Sequence, residues 1–148
     1  MTSMVFGAGL GLGNALAGWV RTRAHSDELA LLIVAAGLTA FVSTFALLPV
    51  PLVLAGALLG CIGACLGLGA PLGTVVLARR SHDQKATILA IGESLNNVMV
   101  LGLMPLGSLA LEVAWPAGVG LVLAPSLIVG TLLCLQDFRW AQQLRLLR

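Results

Sequence analysis

The Lys and Arg residues of this chain are confined to three short clusters, which are separated by long uncharged segments. The eight residues are Arg21 and Arg23; Arg79, Arg80 and Lys85; and Arg139, Arg145 and Arg148. Basic loops of membrane proteins remain on the cytoplasmic side. If all three clusters lie on that side, an even number of membrane crossings separates each from the next. The pattern predicts an all-α, polytopic transmembrane bundle of five helices, with the N-terminus outside and the C-terminus in the cytoplasm.

Composition supports a membrane location. Hydrophobic residues make up 59% of the chain and charged residues only 9%, with a mean hydropathy of +1.04. A soluble domain carries about 25% charged residues, so the polar side chains here are too few to cover a water-soluble globule. We therefore expect an integral protein of the plasma (inner) membrane, with the lipid bilayer as its main partner. The sparse aromatic residues and the absence of a basic face argue against nucleic-acid binding.

Helix positions follow from the uncharged segments and the prolines. Residues 29–78 carry no charge, which is too long for one crossing of about 20 residues. Pro49 and Pro51 divide this segment, because proline interrupts helical hydrogen bonding. The predicted bundle covers residues 1–136, with helices at 3–20, 28–48, 51–78, 86–113 and 116–135. Residues 137–148 form a basic tail, which is either an amphipathic helix at the cytoplasmic interface or frayed.

Glycine is concentrated in the first and third predicted helices. In lipid, glycines four residues apart allow two helix backbones to approach closely. We therefore expect helices one and three to pack against neighbours and helix two, which contains only Gly37, to face lipid. Prolines within helices three, four and five are expected to introduce kinks. The pairs with this spacing are Gly7/Gly11, Gly9/Gly13, Gly56/Gly60, Gly63/Gly67 and Gly69/Gly73.

Polar residues inside the predicted helices are the candidate functional groups. Glu93, Asn96 and Asn97 lie in helix four and Asn14 lies in helix one. A carboxylate in a membrane helix is costly, so it is a functional candidate by default. Glu93 could bind a cationic substrate or carry a coupling proton, with Asn97 orienting it. The competing and favoured interpretation is a structural ion pair with Arg79, Arg80 or Lys85. For Asn14, an interhelical hydrogen bond is favoured over a place in a substrate pathway.

No catalytic motif is visible, so we do not expect an enzyme. The sequence lacks a nucleophile elbow, a zinc-protease motif and a phosphate-binding loop. Cys61 and Cys65 are interpreted as small apolar residues, because His25 and His82 are distant in sequence and structural metal sites need about four ligands. We therefore expect no metal and no cofactor.

Three segments resemble the C-terminal half of a major facilitator superfamily transporter. They are a small-residue run at 67–74, a short basic loop at 79–87 and a Pro-x-Gly element within 102–107. The junction at 14–23 is similar to the family's signature loop: Leu16, Ala17 and Arg23 match it. Other residues, Asn14, Gly18 and Trp19, stand where that loop has Gly, Asp and Arg.

The resemblance implies that helices one to five correspond to helices eight to twelve of a twelve-helix carrier. The expected function is small-molecule transport by alternating access, of efflux type, within a chain that lacks an N-terminal half. The alternative is a non-transporting membrane module, or a half-transporter that assembles with another chain. Tentative substrate or proton-coupling residues are Glu93, Asn97, Asn96 and Asn14. Packing and gating are assigned to Gly63, Gly67, Gly69, Pro71, Gly73, Pro105 and Gly107. The cytoplasmic loops contain Arg21, Arg23, Arg79, Arg80 and Lys85.

Overall fold

The structure, a computed structural model, describes residues 2–114 and 117–146, and this part of the chain contains helices and no strand. The five α-helices are α1 (Thr2–Arg23), α2 (Asp27–Leu47), α3 (Leu52–Arg80), α4 (Lys85–Ala114) and α5 (Ala117–Leu146), with a short 3-10 turn at His82–Gln84. The predicted all-α fold of five helices is therefore confirmed. Residues 115 and 116, at the junction of the fourth and fifth predicted helices, lie outside the described residues.

Among the described helices, α2 and α3 are long and apolar enough to cross a membrane, judged by length and composition. A span of about 20 residues crosses the hydrocarbon layer, and these helices contain 21 and 29 residues. Large apolar side chains on both helices are exposed, including Ile33, Leu52 and Val53. These features indicate membrane association. The count of five crossings and the orientation of the termini stay predictions.

Three helices end later than predicted. The basic clusters were placed in loops, but α1 continues to Arg23 and α3 continues to Arg80. Cations are favourable there because the last turn of a helix carries partial negative charge. Residues 137–146, which the sequence assigns to the basic tail, are helical and continue α5 without interruption from Ala117. The predicted end of the fifth helix, at residue 135, follows from the end of the uncharged segment. In the structure the helix continues through the polar residues beyond it.

The helices do not pack in sequence order. The most extensive packing joins α1 to α3, and α3 also packs against α2. The other side of α2 packs against α5, while α4 contacts α5 and, less extensively, α3. The central layer of the bundle is therefore formed by α2 and α3.

Glycine produces the close contact between α1 and α3. A Cβ atom added to Gly9 or Gly13 would overlap the carbonyl oxygen of Gly60 or Ala64, respectively. On α3, a Cβ at Gly63 would overlap the Phe6 carbonyl oxygen in the same way. The helix backbones therefore touch, and the four-residue spacing of Gly9/Gly13 and Gly63/Gly67 is confirmed as a packing motif. The pair Gly7/Gly11 has the same spacing but meets nothing within 4 Å.

Helix α2 is more enclosed than predicted. We expected it to face lipid, yet it lies between α3 and α5. The Thr39 hydroxyl lies 2.8 Å from that of Thr131 on α5, and it also donates to the Ala35 carbonyl oxygen of its own helix. The pattern of glycines missed this contact, because hydroxyl groups rather than small residues join α2 to α5.

Candidate functional site

A cluster of ion pairs joins four helices at one end of the bundle. The Arg21 Nε atom lies 3.5 Å from the Asp27 carboxylate, which connects the end of α1 to the start of α2. The Arg79 guanidinium, at the end of α3, lies 3.2 Å from the same carboxylate and also donates to Glu28. One acidic pair on α2 therefore holds cations from two other helices.

Arg80 extends the cluster to α5. Its guanidinium lies 3.5 Å from Glu28 and donates a second hydrogen bond to Asp137. Arg80 thus connects the start of α2 with Asp137, about two thirds of the way along α5. We define the charged cluster as these six residues: Arg21, Asp27, Glu28, Arg79, Arg80 and Asp137.

Local sequence explains why the carboxylates lie here. Ser26 caps α2, and its hydroxyl oxygen accepts a 3.1 Å hydrogen bond from the Leu29 backbone N–H. Asp27 and Glu28 follow in the first helical turn, where partial positive charge on the helix favours carboxylates. The first turn of α2 places its carboxylates at the same end of the bundle as the arginines in the last turns of α1 and α3.

Burial differs between the two signs of charge. Asp27 and Glu28 are 8% and 5% exposed, whereas the Arg79 and Arg80 side chains remain about half exposed. Buried carboxylates require partners, because burying an unpaired charge is costly. The arginines can exchange one partner for water more easily. The buried carboxylates are therefore held in place, whereas the half-exposed arginines can change partners.

The remaining predicted basic residues lie beside the charged cluster. The Arg23 guanidinium stacks over the Trp19 ring at 4.3 Å from its centroid, within α1. Lys85 is the first residue of α4 and is exposed. The described ion pairs between helices involve neither residue, so only Arg21, Arg79 and Arg80 of the five predicted loop cations connect helices.

A cavity of about 460 Å³ opens between the start of α2 and the last turns of α5. It is close to the charged cluster in sequence, since two of its residues directly precede Asp27 and one directly follows Asp137. Apolar and neutral polar side chains line it together, so it is amphipathic. The lining residues are His25, Ser26, Leu29, Phe138, Ala141 and Gln142.

The predicted polar site lies elsewhere and is open. Glu93, Asn96 and Asn97 are exposed on α4, and Asn14 is exposed on α1. Within the described residues, none of the ion pairs joins Glu93 to Arg79, Arg80 or Lys85, so the favoured ion-pair interpretation is not supported. The interhelical hydrogen bond predicted for Asn14 is also not found in this part of the chain.

The predicted packing and gating residues divide into three groups. Gly63 and Gly67 contact α1, and a Cβ on Gly69 would lie 3.5 Å from Val34 on α2. Gly73 meets nothing within 4 Å. Pro71 and Pro105 lie inside α3 and α4; the surroundings of Gly107 are outside the described residues.

The acidic members of the charged cluster were not predicted as site residues. Asp27, Glu28 and Asp137 are absent from the candidate residues drawn from the sequence. The motif Ser26-Asp27-Glu28 carried the available signal, since a capping serine followed by two acids marks a helix start. Asp27 and its partner Arg79 are 52 residues apart in sequence. Only the packing of α2 against α3 reveals that they pair.

In the residues that the structure describes, His, Cys, Asp and Glu form no group of three that could hold a metal ion. Comparison of the chain with protein-family models, curated proteins and solved structures finds no match in any of the three.

Proposed function

We propose that this chain is a membrane-embedded segment of a secondary transporter, similar to the C-terminal half of a major facilitator superfamily carrier. In this proposal five helices cross the plasma membrane, and the charged cluster lies at the cytoplasmic surface. Small molecules cross by alternating access, in an efflux-type carrier to which this segment contributes five helices.

The charged cluster is the observation that carries the proposal. Its ion pairs join the ends of α1, α2 and α3 to α5, and they bring Arg21 of the first basic cluster and Arg79 and Arg80 of the second to the same end. Cations collected at one end of an apolar bundle are what the positive-inside rule requires of a polytopic protein. The ion pairs that half-exposed arginines form with carboxylates can also break and re-form when helices move, as alternating access demands.

Glu93 has the proposed coupling role. It is exposed on α4, one of the few carboxylates outside the charged cluster. A carboxylate within a membrane segment typically lies on an ion or proton pathway. Asn96 and Asn97 beside it would orient a cationic substrate. In the alternative function, a non-transporting module that assembles with another chain, the same residues only contact the partner.

Topology is the first test of the proposal. A reporter active on only one side of the membrane is fused after Trp115 and, separately, after Arg148. The five-span arrangement predicts an outside location for the first fusion and a cytoplasmic location for the second. Both reporters on the same side would refute it, because an odd number of crossings must separate the two positions.

Transport is tested with the purified chain in liposomes that carry a pH gradient. Ethidium, a lipophilic cation, serves as the probe, and its accumulation is followed by fluorescence. With the chain alone we expect no accumulation above that of empty liposomes, because the cavity of such carriers forms between two halves. Accumulation without a partner would refute the proposal that this segment forms only half of the carrier.

The role of Glu93 is tested wherever transport activity is obtained, with the chain alone or with a second half. Glu93→Gln removes the titratable group and should abolish accumulation driven by the pH gradient. The matched control, Glu93→Asp, retains a carboxylate and should preserve part of the activity. Full activity of Glu93→Gln would exclude the coupling role.

A further inference from the structure

The cavity between the start of α2 and the last turns of α5 has two kinds of lining. Leu29, Phe138 and Ala141 are half-buried and apolar, whereas His25 and Gln142 are exposed polar residues at its rim. Its volume of about 460 Å³ falls within the range of about 300–1,000 Å³ that is typical of small-molecule sites. A ligand that matches both kinds of lining is amphiphilic, with an apolar part and a polar part.

The polar lining residues of this cavity can all donate hydrogen bonds. The Ser26 hydroxyl oxygen accepts the Leu29 backbone N–H, which leaves its own O–H to donate. The His25 ring and the Gln142 carboxamide each supply an N–H donor. None of the six described lining residues is a carboxylate, and the start of α2 adds the partial positive charge of a helix N-terminus. The polar part of the ligand is therefore an anion.

The charged residues around the cavity also favour an anion. The charged cluster is neutral as a whole, because its arginines and carboxylates are equal in number. Asp83 and Lys85, at the start of α4, have opposite charges. Arg23 and Arg139 are exposed, lie within two residues of the lining in sequence and take part in none of the described ion pairs. They therefore give this end of the bundle a positive potential.

Exposed tryptophans indicate that the cavity lies near the level of lipid headgroups. Trp140 directly precedes Ala141 on α5, and Trp19 lies one turn before the end of α1; both are more than half exposed. Tryptophan is enriched where hydrocarbon meets the headgroup layer. Basic pockets between membrane helices at the cytoplasmic surface are suited to anionic lipid headgroups. A phospholipid at this level is both amphiphilic and anionic.

We propose that this cavity binds the headgroup of an anionic phospholipid. The phosphate oxygens accept hydrogen bonds from His25, Ser26 and Gln142, while the first methylenes of the acyl chains lie against Leu29 and Phe138. A soluble phosphate ester has the same charge but lacks the apolar part, so the lipid is the occupant that matches the whole lining. The inference rests on the membrane location within the proposed function, and it does not require transport.

Binding is tested by native mass spectrometry of the full chain, released from detergent micelles after titration with phosphatidylglycerol or phosphatidylcholine. One phosphatidylglycerol molecule should bind about tenfold more tightly than phosphatidylcholine, whose headgroup has no net charge. An excess of glycerol 3-phosphate should not displace it, because the solute buries no acyl chain. Equal affinity for the two lipids, or displacement by glycerol 3-phosphate, would overturn the proposal.

Two neighbouring glutamines provide matched variants that locate the lipid. Gln142→Glu places a carboxylate at the cavity rim and should weaken phosphatidylglycerol binding at least about tenfold, because like charges repel. Gln143→Glu adds the same charge one residue further along α5, at an exposed position outside the described lining. It should change the affinity less than about twofold. Equal losses for the two variants would mean that the lipid is attracted by diffuse charge, and would overturn the site.

His25→Leu tests the α2 side of the cavity independently. It removes one donor from an exposed position and should weaken phosphatidylglycerol binding about fivefold. Far-UV circular dichroism verifies that each variant keeps the helix content of the wild type. Unchanged affinity in both Gln142→Glu and His25→Leu would overturn the proposal. Topology reporters and transport assays do not enter this test, so its failure is distinguishable from failure of the proposed function.

Discussion

The α1–α3 pair and helix α4 show two ways in which glycine-containing helices behave in one chain. In the first, glycines four residues apart on both helices bring the backbones into contact. In the second, Gly92 and Gly102 are ten residues apart, and Gly102 meets nothing within 4 Å. The difference shows that glycine content does not determine close packing. The spacing must match that of an opposing helix.

Strongly polar residues are rare in the close-packed α1–α3 pair and more frequent on α4. The close-packed pair contains only Asn14 as a strongly polar residue away from its charged ends, and that side chain points outward. Helix α4 carries Glu93, Asn96 and Asn97 and packs loosely against its neighbours. The packed region accordingly supplies stability, whereas the open region retains groups that can bind a partner or a substrate.

The largest expected effect comes from adding a side chain to the close-packed pair. Gly63→Leu places a bulky group where the Phe6 carbonyl oxygen and the Leu10 backbone nitrogen lie, and neither atom can move without its helix. We expect a loss of about 3 kcal/mol or more in the free energy of unfolding. The measurement is denaturant titration in detergent micelles, followed by far-UV circular dichroism.

Gly11→Leu is the control for this substitution. It makes the same chemical change within α1, but at a glycine that meets nothing within 4 Å. Its stability should not fall below that of wild type, because leucine has a higher helix propensity than glycine. Equal losses for the two variants would contradict the assignment of the Gly63→Leu effect to the contact between α1 and α3.

Much of this comparison could be predicted from sequence, because it depends on periodicity. The four-residue spacing of Gly9/Gly13 and Gly63/Gly67 predicted tight packing, and the prolines at 49 and 51 located the break between α2 and α3. Spacing alone could not separate Gly9 from Gly7. Both have a glycine four residues later, and only the rotation of α1 against α3 decides which pair is covered.

The charged cluster was less accessible to prediction. Its cations were recognised from their grouping along the chain, and the same-end arrangement of Arg21, Arg79 and Arg80 is seen in the structure. Their partners depend on which helix ends meet. Glu28 and Arg79 are 51 residues apart, so local sequence could not pair them, and Glu93 was a nearer candidate in the chain.

A smaller effect is expected when a carboxylate of the charged cluster is neutralised. Glu28→Gln removes the anion shared by Arg79 and Arg80, and Glu28 itself is only 5% exposed. Breaking a fully buried pair costs about 3–5 kcal/mol, but both arginines are half exposed and keep access to water. We therefore expect a loss of about 2 kcal/mol, measured by the same titration.

Glu93→Gln makes the identical change in the open region. Glu93 is exposed and none of the described ion pairs includes it, so the free energy of unfolding should change by less than about 0.5 kcal/mol. Similar losses for both variants would contradict the distinction between a packed, ion-paired end and an open helix α4. The comparison also separates stability from function, because Glu93→Gln is expected to affect transport alone.

The smallest expected effect concerns the hydroxyl contact between α2 and α5. Thr39→Val keeps the β-branched shape but removes the hydrogen bond to Thr131. Hydrogen bonds between membrane helices contribute about 0.6 kcal/mol on average, so the loss in unfolding free energy should be near that value. Denaturant titration with several repeats resolves a difference of this size.

Thr44→Val tests whether that loss comes from the interhelical contact. The Thr44 hydroxyl is exposed and bonds the Ala40 carbonyl oxygen of its own helix at 2.8 Å, so its removal should be close to neutral. In a double-mutant cycle, Thr39→Val and Thr131→Val should show a coupling energy of about 0.6 kcal/mol. Zero coupling would mean that both hydroxyls are satisfied by their own carbonyls, and α2 would then be held against α5 by apolar contacts alone.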